Sequence, residues 1–181
     1  MPNYRRHRVA GGTYFFTLVT HQRRSWLCDP AARAALHQAI VSTRANWPFR
    51  IDAWVLLPDH LHCVWTLPDG ETGYAERWRL IKTGVSRRLY ADRTILPSAS
   101  RSRRRESMLW QRRFWEHTIC DEQDLAAHYA YVHYNPVKHG LCDSPGAWPY
   151  TTFHRFVRQG LYPPDWGVAE QVRIPDGVGS E

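Results

Sequence analysis

Apolar and polar positions alternate in blocks that mark strands and helices in turn. The run Thr13 to Thr20 is β-branched and aromatic, opened by Gly11-Gly12 and closed by His21-Gln22-Arg23-Arg24, and it predicts a first strand. Asp29-Pro30 supplies an N-cap with proline at the first helical position. A helix is therefore expected over Ala31 to Arg44, with Ala35, Ile40 and Val41 among good helix formers. Phe49 to Leu57 predicts a second strand, broken by Pro58-Asp59. His60 to Leu67 predicts a third that pairs back as a hairpin and is closed by Pro68-Asp69-Gly70. Between Tyr74 and Tyr90 the residues Trp78, Ile81, Val85 and Leu89 recur at three- and four-residue steps, a helical face suited to a sheet. Phe114 to Cys120 predicts a fourth strand. Asp121 to Tyr134 predicts a third helix that stops at Asn135-Pro136, since proline lacks the N–H a helix interior needs. The order β-α-β-β-α-β is that of an α+β, ferredoxin-like antiparallel sheet with helices on one face. To it are added a C-terminal helix rich in tyrosine and an irregular tail.

Composition narrows the class. A chain of 181 residues with 43% hydrophobic content is long enough for one well-cored domain, expected over residues 1–159, with the Pro/Gly-rich stretch 160–181 as its tail. The net charge of +7 is patched: residues 1–24 carry +5, 87–113 carry +7, 25–86 are neutral and 114–181 carry −5. Nearly all of the cationic charge is arginine, whose planar fork suits phosphate and bases, so an anionic partner is expected. The Arg/Ser-rich stretch 92–107 has the composition of a basic flexible loop. Cys28, Cys63, Cys120 and Cys142 are scattered with no CxxC pair, and no segment has the makeup of a signal peptide or a membrane span. The expectation is a reduced, cytoplasmic protein.

Two groups of residues could do chemistry. His60 and His62 stand two apart on a predicted strand, so both side chains leave the same face and could share a metal ion; a hydrogen-bonded structural pair is the other reading. Tyr131 and Asn135 stand four apart on the tyrosine-rich helix, one turn above the other. A tyrosine hydroxyl beside a divalent cation can attack a phosphate, whereas the same residues could equally pack a core helix. His117 on the fourth strand needs only a hydrogen-bond partner. Lys138 and His139 suit either phosphate contact or the helix C-terminus.

Four segments carry a resemblance to a known family: Gly11-Gly12-Thr13-Tyr14-Phe15-Phe16-Thr17, Trp54 through Trp65 around Pro58-Asp59-His60-Leu61-His62, Phe114-Trp115-Glu116-His117, and Tyr134-Asn135-Pro136-Val137-Lys138-His139-Gly140. In this order they resemble the REP-associated tyrosine transposases, single-tyrosine members of the His-hydrophobe-His (HUH) endonucleases related to insertion-sequence transposases. The resemblance spans about Tyr4 to Trp166. It implies that His60 and His62 are metal ligands with Leu61 as the hydrophobe between them, that Tyr131 is the nucleophile, and that Asn135 is the third ligand. Tyr129 and Tyr134 do not align with the nucleophile.

The implied reaction is cleavage of single-stranded DNA at repetitive extragenic palindrome hairpins through a 5′-phosphotyrosine intermediate, with rejoining as its reverse. The implied cofactor is Mg²⁺ or Mn²⁺; imidazole and amide donors favour the second, cellular supply the first. The resemblance also implies a monomer. Hairpin contacts are expected from Arg5, Arg6, Arg8, Arg23, Arg24, Arg87, Arg88, Arg112, Arg113 and Lys138, and Tyr162 to Trp166 is a candidate cover for the site. Two other readings remain at this point: a non-catalytic hairpin-binding protein of the same fold, and a zinc hydrolase built on the two histidines.

Overall fold

A computed structural model describes residues 8–91, 109–168, 172–175 and 177–179. The expected basic loop 92–107 lies outside these residues, as do Arg5 and Arg6.

The apolar runs form strands where expected: β1 (Thr13–Val19), β2 (Arg50–Leu56), β3 (His60–Thr66) and β4 (Trp115–Thr118). They form one sheet in the order β2-β3-β1-β4 with every neighbouring pair antiparallel. The helices are α1 (Pro30–Asn46), α2 (Tyr74–Ala91), α3 (Glu122–Lys138) and the short α4 (Phe153–Arg158). The ferredoxin-like βαββαβ order is thus present, with the tyrosine helix added after it.

Alternation along each strand divides the core into two layers. Tyr14, Phe16, Leu18, Leu61, Cys63 and Trp65 face α1 and α2, where Leu36, Trp78, Ile81, Val85 and Leu89 meet them. The Trp65 ring stacks between Phe49 and Trp78, its centroid 4.0 Å from each. Gly84 lets α2 approach α1 closely, because a Cβ there would lie 3.1 Å from the Cβ of Ala39. On the other face, Phe15, Ala53, Val55 and Val64 meet Tyr131 and Val132 of α3 and Phe156 of α4.

One boundary differs from expectation. Helix α3 does not stop before Asn135-Pro136 but runs through both to Lys138. Proline removes one backbone donor, yet the turn is resumed at once: the His139 N–H bonds the Asn135 carbonyl at 3.0 Å. The stop is Gly140, at a φ of +65°, with Leu141 N–H to Pro136 O and Gly140 N–H to Val137 O, each at 2.9 Å, closing a Schellman turn. Asn135 is thereby kept in helical register with Tyr131.

The outer side of α3 is held by aromatic rings and one buried histidine. His133 is fully buried, 4.4 Å from the Phe156 ring and 5.5 Å from that of Tyr162. Its Nε2 lies 2.9 Å from the Thr152 hydroxyl, which itself donates to the Trp54 carbonyl, so Nε2 carries the proton. Nδ1 has no hydrogen-bond partner among the described residues. Burial, with the nearby positive charge of Arg155, pushes the His133 pKa from 6.5 down to about 3.

Between those two values the unfolded chain holds a proton that the folded one lacks. Stability therefore falls as pH is lowered from about 6.5 toward 3, by up to about 1.4 kcal/mol per pH unit from this group. Urea unfolding across that range is expected to show an acid limb that becomes shallower by one proton in His133→Gln; an unchanged slope would contradict the assignment.

Candidate active site

The site lies where β3 faces α3. His60 and His62 leave β3 on the α3 side, and both are buried. Their rings sit 4.9 Å apart, centroid to centroid, at 80° to one another. The His62 ring is 5.1 Å from that of Tyr131, and the His60 ring is 5.0 Å from that of His139. Tyr131, Asn135 and His139 follow one another at successive turns of the helix, so Asn135 falls between the two ring pairs, opposite the histidines.

Each histidine is oriented through its Nδ1. His60 Nδ1 lies 2.6 Å from the Asp59 carboxylate, and His62 Nδ1 lies 2.8 Å from the Thr17 hydroxyl, which the β1–β3 register places directly across the sheet. Burial alone would raise the Asp59 pKa, but hydrogen bonds and charge from His60 and Arg23 outweigh it and hold the carboxyl below its ordinary value. Asp59 is thus a carboxylate that accepts the His60 Nδ1 proton, which makes Nε2 the atom through which His60 would ligate. The Nε2 atoms of both histidines are buried.

Asn135 is fully buried, and neither its amide oxygen nor its amide nitrogen has a hydrogen-bond partner among the described residues. Leaving a buried amide unsatisfied costs about 1–3 kcal/mol per group, so a side chain in this state is expected to have a ligand. Two imidazole nitrogens and an amide oxygen form a donor set that fits a divalent ion of the borderline type.

Of the three tyrosines along this stretch of helix, only Tyr131 turns to the histidines. Tyr129 packs on Phe156, and burial pushes its pKa up to about 12. Tyr134 packs edge-on against Trp166. The Tyr131 side chain is 1% exposed, its hydroxyl donates to the Gly179 carbonyl at 2.9 Å, and the Lys138 ammonium lies 4.9 Å from its ring centroid. The cover over Tyr131 is therefore residues 177–179. The Tyr162 to Trp166 stretch, expected to lie there, stacks instead on Phe153, Phe156 and His133 at the outer side of the helix. The physical reason is the helical period: His133 and Tyr131 are about 200° apart around α3.

The arginines divide by layer. Arg23 reaches the Asp59 carboxylate at 3.3 Å and so stands beside His60; the turn that aims it holds Gln22 and Arg23 at φ of 57° and 50°. Arg8, Arg24, Arg112 and Arg113 are exposed. Arg87 and Arg88 lie on α2, across the sheet from Tyr131, and the Arg88 guanidinium is engaged by Gln38 at 3.0 Å and the Gly84 carbonyl at 3.2 Å. His117 has its partner in Asp124, at 2.8 Å. Asp59 was open to recognition from its place beside His60; Thr17 and Gly179 carry no sequence signal, since only the strand register and the path of the tail bring them here.

Residues 8–135 match the family described as "Transposase IS200 like". The chain belongs to this IS200-like transposase family. It is 42% identical over 166 residues to the REP-associated tyrosine transposase of Escherichia coli K12, covering 92% of this chain and 91% of that protein. A Haemophilus influenzae protein provisionally named as a REP-associated tyrosine transposase is 42% identical over 179 residues, 98% of this chain and 100% of that one. A solved structure of a REP-associated tyrosine transposase bound to a REP hairpin matches at a TM-score of 0.77 with 39% identity, over 97% of this chain and 99% of that one. The chain is an enzyme of the tyrosine transposase class. Membership of the family points to a divalent metal ion. Among the described residues, no helix is long and apolar enough to cross a membrane.

A chain ended at Gly167 lacks the Gly179 carbonyl over Tyr131. Nitration by tetranitromethane, mapped by peptide mass spectrometry, is expected to rise severalfold at Tyr131 and stay unchanged at Tyr129. Equal nitration of Tyr131 in both chains would show that the tail does not cover it.

Proposed function

We propose that this enzyme cleaves and rejoins single-stranded DNA beside a hairpin of the repetitive extragenic palindrome type, with Tyr131 as nucleophile. The observation that carries this reading is the position of the Tyr131 ring 5.1 Å from His62, with the unsatisfied Asn135 amide one turn further along the same face. A structural helix has no use for a fully buried, unpartnered amide opposite two imidazoles, whereas a metal site does.

In this reading His60, His62 and Asn135 hold the ion, and Asp59 and Thr17 keep the two imidazoles turned for it. A bound divalent ion would supply charge that polarises the scissile phosphate. The Tyr131 hydroxyl leaves the Gly179 carbonyl, gives its proton to water and attacks the phosphorus. The P–O3′ bond breaks, the departing 3′ oxygen takes up a proton, and the 5′ phosphate stays on Tyr131. Attack by a 3′ hydroxyl on that linkage reverses each step and rejoins a strand. Lys138, beside the Tyr131 ring, provides positive charge where the phosphate would come.

Mg²⁺ or Mn²⁺ is the ion, and the nitrogen donors favour Mn²⁺. Arg8, Arg23, Arg24, Arg112, Arg113 and Lys138 contact DNA phosphates or bases, with Arg5 and Arg6 from the N-terminal segment and Arg87 and Arg88 as a separate patch on the helical layer. The enzyme acts as a monomer, in the cytoplasm where chromosomal DNA is met. Residues 1–159 form the nuclease domain and 160–181 its tail.

The test is incubation with a labelled single-stranded hairpin carrying 5′ and 3′ flanks, with Mn²⁺ or Mg²⁺, followed by a denaturing gel. The wild type is expected to give a metal-dependent protein–DNA adduct. Tyr131→Phe is expected to give none, and Asn135→Ala an adduct reduced on the order of 10–100-fold. An adduct that persists in Tyr131→Phe contradicts the nucleophile. Hairpin binding with no adduct under any condition marks a binding protein that does not cut.

A further inference from the structure

Beside the candidate active site, three side chains that the reaction does not use converge on one another. His117 of β4 and Asp124 and His128 of α3 place their ligand atoms within 4.8 Å of each other. We propose that they form a second metal site, for a first-row transition ion such as Zn²⁺, that ties β4 to the first two turns of the helix carrying Tyr131.

The geometry comes from two elements. Asp124 and His128 stand four apart, so they share a face of α3, and the antiparallel pairing of β1 with β4 sets His117 opposite Phe15, beneath that face. His117 Nε2 lies 2.8 Å from Oδ2 of Asp124, and His128 Nδ1 lies 2.9 Å from Oδ1 and also 2.9 Å from the Asp124 main-chain carbonyl, to which it hydrogen-bonds. The two rings stack 4.6 Å apart at 15°, with their edges on the same carboxylate.

An ion bonded at about 2.0–2.2 Å to two imidazole nitrogens and a carboxylate oxygen holds its donors roughly 3 Å apart, so the three ligand atoms, which lie within 4.8 Å of one another, would close in on it by rotation of their side chains. Two imidazoles and one carboxylate suit Zn²⁺, Fe²⁺ or Mn²⁺ better than Mg²⁺ or Ca²⁺, which prefer all-oxygen shells.

Burial of His128 lowers its pKa below the ordinary value despite the neighbouring Asp124. For Asp124, burial pushes upward, but the Cys120 N–H and the two histidines outweigh it and keep the carboxyl ionised. His128 is 2% exposed, with Nδ1 as the ring nitrogen turned to Asp124.

Phe15 separates this cluster from the first site: its ring centroid is 4.8 Å from that of His128, 5.5 Å from that of His62 and 5.7 Å from that of Tyr131. The second ion is therefore a brace for the nucleophile's helix and touches neither phosphate nor Tyr131.

The test uses the full chain, stripped with EDTA and titrated with Zn²⁺ against a chromophoric chelator of micromolar affinity. His60→Ala with His62→Ala removes the first site and is expected to leave one tight equivalent. In that background, His117→Gln and, separately, Asp124→Asn are each expected to weaken the remaining equivalent at least tenfold, while the far-UV circular dichroism of each matches its parent. Absence of any tight equivalent in the His60→Ala, His62→Ala chain overturns the proposal, as does an equivalent that survives either further substitution. The readout is stoichiometry without DNA, so it is independent of whether Tyr131 cuts.

Discussion

The two-residue period of β3 governs both the core and the site. Leu61, Cys63 and Trp65 enter the layer under α1 and α2, and His60, His62 and Val64 enter the layer under α3. A register slip of one residue would drive two imidazoles into the stack of Phe49, Trp65 and Trp78 and expose that tryptophan to the other face. The apolar side of the strand therefore fixes the aim of the polar side. The histidines are held at the correct face by the burial of their neighbours, and Asp59 and Thr17 have only to set the ring rotation.

Helix α3 completes the arrangement by dividing its own residues among three tasks. One side carries Tyr131, Asn135 and His139 toward the histidines, and the opposite side buries His133 among Phe156 and Tyr162. The first turns engage β4 through Asp124 and His128. These contacts on two sides and at the start resist rotation of the helix, and a fixed helix is what the proposed role of Tyr131 calls for. The Gly179 carbonyl of the 177–179 segment accepts the Tyr131 hydroxyl's hydrogen bond.

Much of this was legible in the chain because its causes are local. Strand period placed His60 and His62 on one face, helix period paired Tyr131 with Asn135, and β-branched and aromatic runs marked all four strands within a residue or two of their observed ends. The misplaced features have non-local causes. Pro136 reads as a helix end when only backbone donors are counted; burial on the sheet and the Gly140 turn carry the helix past it. Arg87 and Arg88 were grouped with Arg112 and Arg113 by proximity in sequence, whereas the layer on which α2 packs puts Arg87 and Arg88 across the sheet from Tyr131. The stretch Tyr162 to Trp166 is the candidate cover by sequence, yet it does not lie over Tyr131. The rings found a better partner in Phe153 and Phe156, and a glycine carbonyl does the covering.

The central claim is that one tyrosine of three on this helix faces the metal-binding pair and is the nucleophile. The most direct measurement is tandem mass spectrometry of the trapped protein–DNA adduct after nuclease trimming. The account predicts a nucleotide 5′ phosphate on Tyr131 alone, with Tyr129 and Tyr134 unmodified. A nucleotide on either of those two, or linkage through a 3′ phosphate, would contradict it.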